Sequence, residues 1–352
     1  MIGGVYLEHR VALLGFGVVG QGFAEIVLNK KQQLENEYGL NISIVAVSDL
    51  MKGSVYHPEG LSVEDLLKVI KETGSFDAYP DYPGLIRGLD SFETIANTNA
   101  ETIVEVTFTD VQTGQPAIDH CKHAFNHGKN VIMSNKGPVA LAFQELNTLA
   151  QQNKVRWGYE GSVMSGTPAL RMATTSLAGN DITEIQGIFN GTTNYMLTRM
   201  EEGLSYEEAL KEAQQLGYAE ANPTNDVEGY DALYKIVILS NVLLNYPIKM
   251  DAVERVGISR LTNKDIEQAK NEGKRWKLIA RLMKTSDGIS ASVKPEMIAL
   301  NHPLASINGA TNAISYHCDL LGPVTLIGAG AGKSETGFSI LIDLINIHRR
   351  QL

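Results

Sequence analysis

The sequence predicts an α/β fold, in which a doubly wound parallel sheet is followed by a second domain of α+β type. A short apolar strand runs directly into a glycine-rich turn and a helix, and apolar strands then alternate with helices over roughly the first 150 residues. After Val155 the pattern changes to short β-type segments between helices. A chain of 352 residues is long enough for two such domains.

The composition is that of a soluble globular protein with a substantial core, with 43% hydrophobic and 20% charged residues. The net charge of −10 and the lack of a long basic run argue against nucleic acid or an anionic membrane surface as a partner. Cys121 and Cys318 are too few for a disulfide framework and fit a reducing compartment, so we expect a cytoplasmic protein. We find no signal peptide and no apolar run long enough for a transmembrane helix.

The first strand, turn and helix carry a dinucleotide-binding pattern. The strand Arg10–Leu14 leads into Gly15, Gly17 and Gly20, which form the pattern G-x-G-x-x-G, and a helix is predicted over Gln21–Tyr38. In this context the first glycine allows a tight turn, the second lets the backbone approach a pyrophosphate, and the third lets the helix pack on the strand. The pattern predicts a Rossmann-type site for NAD or NADP, with the phosphates at the amino end of the helix.

The second strand, Ile42–Val47, is followed by Asp49, which we interpret either as a ribose-binding acid or as a polar strand-end residue. Lys52 is interpreted either as a partner for a 2′-phosphate or as a solvated lysine. These two residues therefore leave the choice between NAD and NADP open.

The next elements bring polar residues to the carboxyl edge of the sheet. In order, we predict the helix Val63–Glu72, the strand Ile103–Phe108, the helix Gln115–His127, the strand Asn130–Met133 and, after a break at Gly137 and Pro138, the helix Val139–Gln151. The last strand delivers Ser134, Asn135 and Lys136 to the edge at which open α/β sheets bind ligands. Lys136 is therefore either a site lysine or a solvated loop lysine.

The second domain is predicted from shorter elements. Residues 155–160 and 184–190 are predicted strands, the loop Ser162–Pro168 leads into the helix Ala169–Leu177, and the small-residue segment Leu326–Gly332 precedes a closing helix Glu335–Arg350. We expect the closing helix to return to the N-terminal domain. The turn Asn190–Thr193 lies between a strand and a helix; its backbone amides suit a carboxylate, and Thr192 or Thr193 fits equally well as a helix N-cap.

The stretch Gly217–Leu239 places ionisable residues beside a buried helix. Asp231 and Lys235 lie four residues apart, hence on one face of a helix that is otherwise apolar on most of its sides. This spacing is usual for an ion pair on a solvated face, but a charged lysine on a buried helix is costly unless it is paired or functional. With Glu220 and Asp226 just upstream, the pattern suggests a site for a small, charged, amine-bearing molecule.

Several long motifs, in one order from Val11 almost to the C-terminus, resemble the homoserine dehydrogenase family. They are GFGVVG, VEVTFTDVQTGQP, GKNVIMSNKGPVAL, EGSVMSGTP, GIFNGTTNYML, GYAEANPTNDVEGYDALYK, HPLASINGATNA and IGAGAGKSETGFSILIDLI. The resemblance implies interconversion of L-homoserine and L-aspartate 4-semialdehyde with NAD(P)(H), in threonine, methionine and isoleucine biosynthesis. It also implies a Rossmann domain, residues 1–150 completed by 320–352, and a substrate and dimerisation domain with a mixed sheet, residues 151–319. We expect a homodimer or a dimer of dimers, in a short form without an aspartate kinase or ACT domain.

The resemblance further assigns roles to single positions. The catalytic positions are Lys136, Asp231 and Lys235, and the substrate-binding positions are Glu220, Asp226, Tyr218, Thr192 and Gly191. The cofactor-binding positions are Gly15, Phe16, Gly17, Val18, Val19, Gly20, Thr107, Ser134, Lys136, Gly217 and Gly332. The positions of a monovalent-cation loop for Na⁺ or K⁺ are Glu160, Val163, Ser165 and Thr167, largely through backbone carbonyl groups. The chain departs from the family at Met164 and Ser165, where small glycine-type residues are common, and at Asn222, where the family often has Asp.

The implied mechanism needs a lysine that gives a proton to the substrate carbonyl oxygen during reduction and takes it back during oxidation. Lys235 and Lys136 are both candidates, and the sequence does not decide between them. Two rival functions are considered. One is a dehydrogenase of another small amino or oxo acid, for which the departures at Met164 and Asn222 leave room. The other is a catalytically silent dinucleotide-binding sensor, which the loss of Lys136, Asp231 or Lys235 would favour, but all three are present.

Overall fold

The computed structural model describes residues 7–110 and 112–350 of the chain. It contains two compact units. One comprises Met1–Ser162 and Gly332–Leu352, and the other comprises Val163–Ala331. Among the described residues, none of the helices combines the length and the apolar character that crossing a membrane requires.

The first unit is built on a seven-stranded sheet with the order β4-β3-β2-β1-β5-β6-β7. Its strands are β1 Leu7–Leu14, β2 Leu40–Asp49, β3 Gly53–Tyr56, β4 Ile86–Arg87, β5 Thr102–Glu105, β6 Asn130–Met133 and β7 Trp157–Gly158. Its helices before β7 are α1 Val18–Tyr38, α2 Val63–Thr73, α3 Ser91–Asn97, α4 Ala117–Asn126, α5 Lys136–Leu141 and α6 Phe143–Gln152. The five neighbouring strands β2, β1, β5, β6 and β7 pair in parallel, which confirms the predicted fold class.

Two short strands at one edge of this sheet were not predicted. Strand β3 pairs antiparallel with β2, from Ala46 opposite Tyr56 to Asp49 opposite Gly53, and β4 pairs antiparallel with β3. They are four and two residues long. Such lengths are too short to show a period in the sequence.

Three predicted element boundaries near the sheet were wrong. Helix α1 begins at Val18 rather than Gln21, because Gly17 is already its N-cap. The strand predicted to reach Phe108 ends at Glu105, and Phe108 is 90% exposed. The predicted break at Gly137 and Pro138 lies inside α5, because proline in the first turn of a helix forfeits no intrahelical hydrogen bond.

The second unit contains a six-stranded mixed sheet with the order β13-β12-β8-β10-β11-β9. Its strands are β8 Ile182–Ile188, β9 Glu254–Arg255, β10 Lys274–Thr285, β11 Gly288–Ala299, β12 Thr311–Cys318 and β13 Gly322–Ala329. Its helices are α7 Ala169–Arg171 with the π-helical turn Met172–Ser176, α8 Gly191–Glu201, α9 Tyr206–Gln215, α10 Thr224–Val227, α11 Tyr230–Leu243 and α12 Asn263–Asn271. All pairs are antiparallel except β9 with β11.

The limits of the two units differ from the boundaries expected at residues 150 and 320. Strand β7, expected in the second domain, pairs with β6 in the first sheet. The start of the small-residue segment, Leu326–Ala329, lies within β13 of the second sheet. The closing helix α13, Lys333–His348, packs on α1, where Gly22 and Gly337 let the two backbones approach closely.

A buried lysine ties the second sheet to helix α8. Lys277 on β10 is fully buried, and its Nζ donates to the Asn194 side chain at 3.0 Å and to the Ile307 carbonyl at 2.6 Å. Asn194 on α8 in turn donates to the carbonyls of Ile307, Gly309 and Thr311. Burial lowers the pKa of Lys277 to about 8, although the nearby carboxylate of Glu201 acts in the opposite direction.

The low pKa of Lys277 predicts a rise of stability with pH. In the unfolded chain this amine binds its proton up to about pH 10.5, whereas in the folded chain it loses it near pH 8. Between these pH values the unfolded state binds more protons, so the free energy of unfolding increases by about 1–3 kcal/mol from this group.

Denaturant unfolding of the wild type and of Lys277→Met at about pH 8 and pH 10 measures this increase. We expect the stability of the wild type relative to Lys277→Met to rise over that interval. Lys274→Met, at the exposed start of the same strand, serves as the control and should follow the wild type. Parallel pH profiles for the wild type and Lys277→Met would show that Lys277 titrates normally.

Candidate active site

The glycine turn between β1 and α1 leaves open space at its second glycine. Gly15 has φ +91°, and a Cβ there would lie 2.6 Å from the Val106 carbonyl oxygen. A Cβ at Gly20 would lie 2.7 Å from the Gly15 carbonyl oxygen. A Cβ at Gly17 would meet no atom within 4 Å. Packing within the protein therefore explains the first and third glycines. The open space at Gly17 fits a ligand instead, such as the pyrophosphate of a dinucleotide.

The residues beside this turn keep the amino end of α1 accessible. Phe16 is buried, Val18 is exposed, and the N-cap Gly17 offers no side chain to the first-turn amides. Val19 packs against the apolar core of the unit. An anion is favoured at such a helix end, because the backbone amides and the helix dipole both point towards it.

Asp49, at the end of β2, fixes the glycine turn. One carboxylate oxygen accepts the Phe16 backbone amide at 2.7 Å, and the other accepts the amides of Met51 and Lys52 at 3.0 and 3.1 Å. Burial raises the pKa of Asp49, but the hydrogen bonds from Phe16 and Met51 and the Lys52 charge outweigh it and leave the pKa below its ordinary value. The carboxylate is thus ionised, and it holds the glycine turn from the end of β2.

The other predicted cofactor positions of the first unit lie at the carboxyl ends of β5 and β6. Thr107 follows β5, Ser134 follows β6, and Lys136 is the first residue of α5. All three are partly exposed. Gly332 is the N-cap of α13 and has φ +142°.

In the second unit, Lys235 lies at the centre of a buried charge cluster. It is 6% exposed on helix α11, where the residues from Ala232 to Asn241 are all buried. Its Nζ donates to Asp231 at 2.6 Å and to the Phe189 carbonyl at 2.5 Å. The i,i+4 pair predicted from the sequence is therefore present, and it lies in a buried environment rather than on a solvated face.

Asn190 connects this pair to a second carboxylate. The sequence placed it in a turn whose backbone amides suit a carboxylate, but the role of its side chain was missed. Its Nδ2 donates to Asp226 at 2.7 Å and to Asp231 at 3.1 Å. Its Oδ1 accepts the Thr193 amide at 2.8 Å, so Asn190 is also the N-cap of α8. Neither Thr192 nor Thr193, the two N-cap candidates, occupies that position. One asparagine therefore fixes both the start of α8 and the spacing of two acids.

The acids of this cluster make it strongly negative. Burial raises the pKa of Asp226, the Asn190 hydrogen bond opposes this, and the neighbouring carboxylates of Asp231 and Glu220 add to the increase. Glu220 itself is exposed. The cluster contains three carboxylates and only one lysine, so its negative charge is not fully compensated. A further cation, such as an ammonium group, would be attracted to it.

The remaining predicted substrate positions surround the start of α8. Thr192 is buried and donates from its hydroxyl to the Tyr218 carbonyl at 2.5 Å. Tyr218 is 46% exposed and follows Gly217, which has φ +76° and comes directly after the C-cap of helix α9. Gly191 is the first residue of α8, and a Cβ there would lie 2.7 Å from the Ala310 carbonyl oxygen.

The predicted cation loop contains two consecutive residues in the left-handed region. Met164 and Ser165 have φ +58° and +54°, and both are buried. The Thr167 amide donates to the Met164 carbonyl at 3.0 Å, and the Thr167 hydroxyl donates to the Ala329 carbonyl at 2.9 Å. Val163 is also buried. Within residues 7–110 and 112–350, no group of three or more His, Cys, Asp or Glu side chains could hold a metal ion.

Two family models match the chain in adjoining segments. The model described as "Homoserine dehydrogenase, NAD binding domain" matches residues 15–160, and the model described as "Homoserine dehydrogenase" matches residues 168–345. The two segments together contain all the predicted catalytic, substrate-binding and cofactor-binding residues, whereas Val163, Ser165 and Thr167 of the predicted cation loop lie between them.

Curated relatives and solved structures match nearly the full length. The NAD(+)-dependent homoserine dehydrogenase of Pseudomonas canavaninivorans is 46% identical over 343 residues, which cover 97% of each chain. The homoserine dehydrogenase of Methanocaldococcus jannaschii is 38% identical, covering 96% of this chain and 98% of its own. The crystal structure of a putative homoserine dehydrogenase from Archaeoglobus fulgidus has a TM-score of 0.87 at 36% identity, covering 97% and 99%. A hyperthermophilic archaeal homoserine dehydrogenase in complex with NADPH has a TM-score of 0.83 at 28% identity, covering 98% of each chain.

The gap at Gly17 predicts the effect of two substitutions. Gly17→Asp should fold normally, because a side chain there meets no protein atom, but its charge should repel the phosphates and weaken dinucleotide binding more than about 100-fold. Gly17→Ala is the matched control and should weaken binding less. Titration followed by nucleotide fluorescence measures both. A folded Gly17→Asp variant with wild-type affinity would show that the pyrophosphate does not bind at this turn.

Proposed function

The chain belongs to the homoserine dehydrogenase family, and from this premise we propose which residues bind the substrate, hold the cofactor and transfer the proton. It is an NAD(P)-dependent oxidoreductase of amino-acid biosynthesis that interconverts L-homoserine and L-aspartate 4-semialdehyde. The observation that supports the residue assignment most strongly is the buried cluster of Lys235, Asp231, Asn190 and Asp226.

The substrate ammonium binds to Glu220 and Asp226. Asp226 has the Asn190 amide on one oxygen and lies within the field of Asp231 and Glu220. A bound ammonium would relieve the repulsion among these carboxylates, which supplies a reason for acids to be concentrated there. The substrate carboxylate binds at the turn Gly191–Thr192, where the amino end of α8 favours an anion, with Tyr218 beside it.

Lys235 transfers the proton of the substrate hydroxyl. Its Nζ is held by Asp231 and by the Phe189 carbonyl, so the amine is fixed in position before the substrate arrives. During oxidation it accepts the hydroxyl proton, and during reduction it returns that proton to the carbonyl oxygen. Asp231 orients the amine and balances its charge when it is protonated. General acid–base help of this kind contributes about 10²–10⁴-fold to the rate.

The dinucleotide, when bound, supplies the hydride acceptor or donor. The turn at Gly15, Gly17 and Gly20 receives the pyrophosphate, and Thr107 and Lys136 lie at the strand ends on the other side of that turn. Lys136 is therefore assigned to the cofactor and to charge balance, while Lys235 carries the proton.

NAD is the proposed preferred cofactor. The 46% identical relative from P. canavaninivorans is named as NAD(+)-dependent. Asp49 keeps an ionised carboxylate at the end of β2, where acids favour the ribose hydroxyls of NAD and repel a 2′-phosphate. Lys52, 3.4 Å from Asp49, is already engaged by that carboxylate.

A monovalent cation, Na⁺ or K⁺, is proposed for the loop predicted from Glu160, Val163, Ser165 and Thr167. Two successive non-glycine residues with positive φ cost of order 1–3 kcal/mol each. Strain of that size is found at ligand-binding loops, and a cation held by backbone carbonyl groups would offset it.

A homodimer is proposed through one face of the second sheet. The pairing register places Met283, Glu184, His317 and Ile327 on the same face. Met283 and Ile327 are 42% and 54% exposed there. We propose that a second copy of the chain covers this face.

The assay that tests the function follows reduced nicotinamide by absorbance, with L-homoserine and either NAD⁺ or NADP⁺. We expect turnover with homoserine and a higher kcat/KM with NAD⁺. Reduction of L-aspartate 4-semialdehyde by each reduced cofactor should show the same order. Turnover with another small amino alcohol and none with homoserine would contradict the assigned substrate, and a higher kcat/KM with NADP⁺ would contradict the assigned cofactor.

A double substitution tests the role of Lys235. Lys235→Met with Asp231→Asn removes both charges together, so no orphaned charge remains in the core. If the pair is only structural, the variant should keep most of its turnover. If Lys235 transfers the proton, the variant should fold and bind cofactor but lose kcat by about 10²–10⁴-fold.

The control for that experiment is Lys122→Met with Glu145→Gln, a more exposed ion pair of the first unit. It should leave kcat unchanged. Melting temperature, nucleotide titration and kcat are measured on the same preparation of each variant. A stable Lys235→Met/Asp231→Asn protein with near-normal kcat would contradict the role of Lys235 and indicate Lys136 as the residue that transfers the proton.

A further inference from the structure

A fully buried glutamate terminates β5, and none of the roles described above includes it. Glu105 is 0% exposed. Its Oε1 accepts the Thr107 amide at 2.9 Å, the Thr107 hydroxyl at 2.6 Å and the Asn135 side-chain amide at 2.8 Å. Its Oε2 lies 2.5 Å from the Nδ1 of His120. One carboxylate therefore joins the loop after β5, the loop after β6 and helix α4.

The four contacts account for the burial of this charge. A carboxylate without partners in the core would cost several kcal/mol, but here a backbone amide, a hydroxyl, a side-chain amide and an imidazole N–H surround it. His120 is itself buried on α4, and its ring packs edge-on against Phe92, with centroids 5.1 Å apart. The imidazole is thus held in place, and it holds Glu105 in turn.

Asn135 gives up a helix cap to make its contact with Glu105. It is the N-cap residue of α5, yet its side chain makes no capping hydrogen bond. Ser62, Asp90 and Ser205, at the same position of other helices, all accept a backbone amide. Capping typically stabilises a helix by ~1 kcal/mol, and here the Asn135 side chain instead satisfies the buried Glu105 carboxylate. That bond sets the start of α5, where Lys136 is the first residue.

The place of Glu105 in the sheet indicates the purpose of these contacts. Strands β2 to β4 are added to the sheet on one side of β1, and strands β5 to β7 are added on the other side. The strand order therefore reverses between β1 and β5. Dinucleotides bind across such a reversal. With the adenosine half on the side of β2 and Asp49, the nicotinamide half lies over the ends of β5 and β6.

We propose that Glu105, supported by His120, is a positioning residue for the nicotinamide half of the dinucleotide: it fixes Thr107 and the Asn135–Lys136 turn at the ends of β5 and β6. This inference rests on the proposed function, because it requires the cofactor assignment. It adds two residues, Glu105 and His120, that touch neither substrate nor cofactor. Their effect passes entirely through the two loops that they hold.

The test compares two ligands that share the adenosine half. Glu105→Gln keeps the shape of the side chain but replaces one acceptor oxygen by a donor, so at least one of the contacts to Thr107, Asn135 or His120 must be lost or reversed. NADH carries the nicotinamide ring, whereas ADP-ribose keeps the second ribose but lacks that ring. We expect the Kd of NADH to rise about 10-fold and the Kd of ADP-ribose to stay within about 2-fold, with kcat reduced.

A second variant and a control accompany the first. Asn135→Ala removes only the contact between Glu105 and the α5 turn, and it loses no cap, so it should fold even if Glu105→Gln does not. It should also weaken the binding of NADH more than the binding of ADP-ribose. Glu101→Gln is the matched control, because Glu101 is an exposed glutamate immediately before the amino end of β5. It should leave both dissociation constants unchanged.

The outcomes separate this inference from the function on which it rests. The positioning role would be overturned if the variants bound NADH and ADP-ribose with equally weakened affinity. It would also be overturned if Asn135→Ala and Glu105→Gln both bound the two ligands with wild-type affinity. A wild-type protein that binds ADP-ribose but not NADH would overturn the cofactor assignment as well. Selective loss of NADH affinity in either variant, with normal binding by Glu101→Gln, supports the inference.

Discussion

A lysine buried in an apolar helix is the constraint on which the second unit depends. The charge of Lys235 must be compensated locally, and Asp231 one turn before it on α11 supplies the carboxylate. The Phe189 carbonyl accepts a second hydrogen bond from the amine, which brings the end of β8 to the same point. Asn190, the next residue, then starts α8 and holds Asp226. A helix, a strand and a turn are therefore placed by the need to surround one amine.

In the first unit the loops that face the ligand edge are held by acids at strand ends. Asp49 at the end of β2 fixes the glycine turn through the Phe16 amide. Glu105 at the end of β5 fixes Thr107 and Asn135. In both cases a carboxylate satisfies backbone or side-chain donors that a loop would otherwise leave unmatched. Loops held in this way can present a site at the sheet edge without large rearrangement on binding.

The sequence predicted the parts of the site that depend on local spacing. The glycine turn and its flanking strand and helix follow from residues that are adjacent in the chain, and the Lys235–Asp231 pair follows from helical periodicity. The side-chain roles of Asn190 and Glu105 could not be found in this way, because the partners that define them are distant along the chain. Asp226 and Asp231 lie 36 and 41 residues from Asn190, and His120 and Asn135 lie 15 and 30 residues from Glu105. Only the folded strand ends bring them together.

The errors in the predicted elements have the same origin. An apolar run such as that ending at Phe108 does not reveal where strand pairing stops, since Val106 and Phe108 continue the composition of β5 beyond Glu105. Gly137 and Pro138 look like a break in isolation, yet proline is compatible with the first turn that Asn135 begins. The edge strand β4 is only two residues long and depends on its partner β3 rather than on its own sequence.

The measurement that tests the central claim most directly is a crystal structure of the protein with L-homoserine and NAD⁺ bound. The account predicts that the homoserine hydroxyl oxygen lies within hydrogen-bonding distance of Lys235 Nζ. It also predicts that the ammonium contacts the carboxylates of Glu220 and Asp226. A complex in which the ammonium lies away from both acids, while the hydroxyl oxygen contacts Lys136 instead of Lys235, would contradict it.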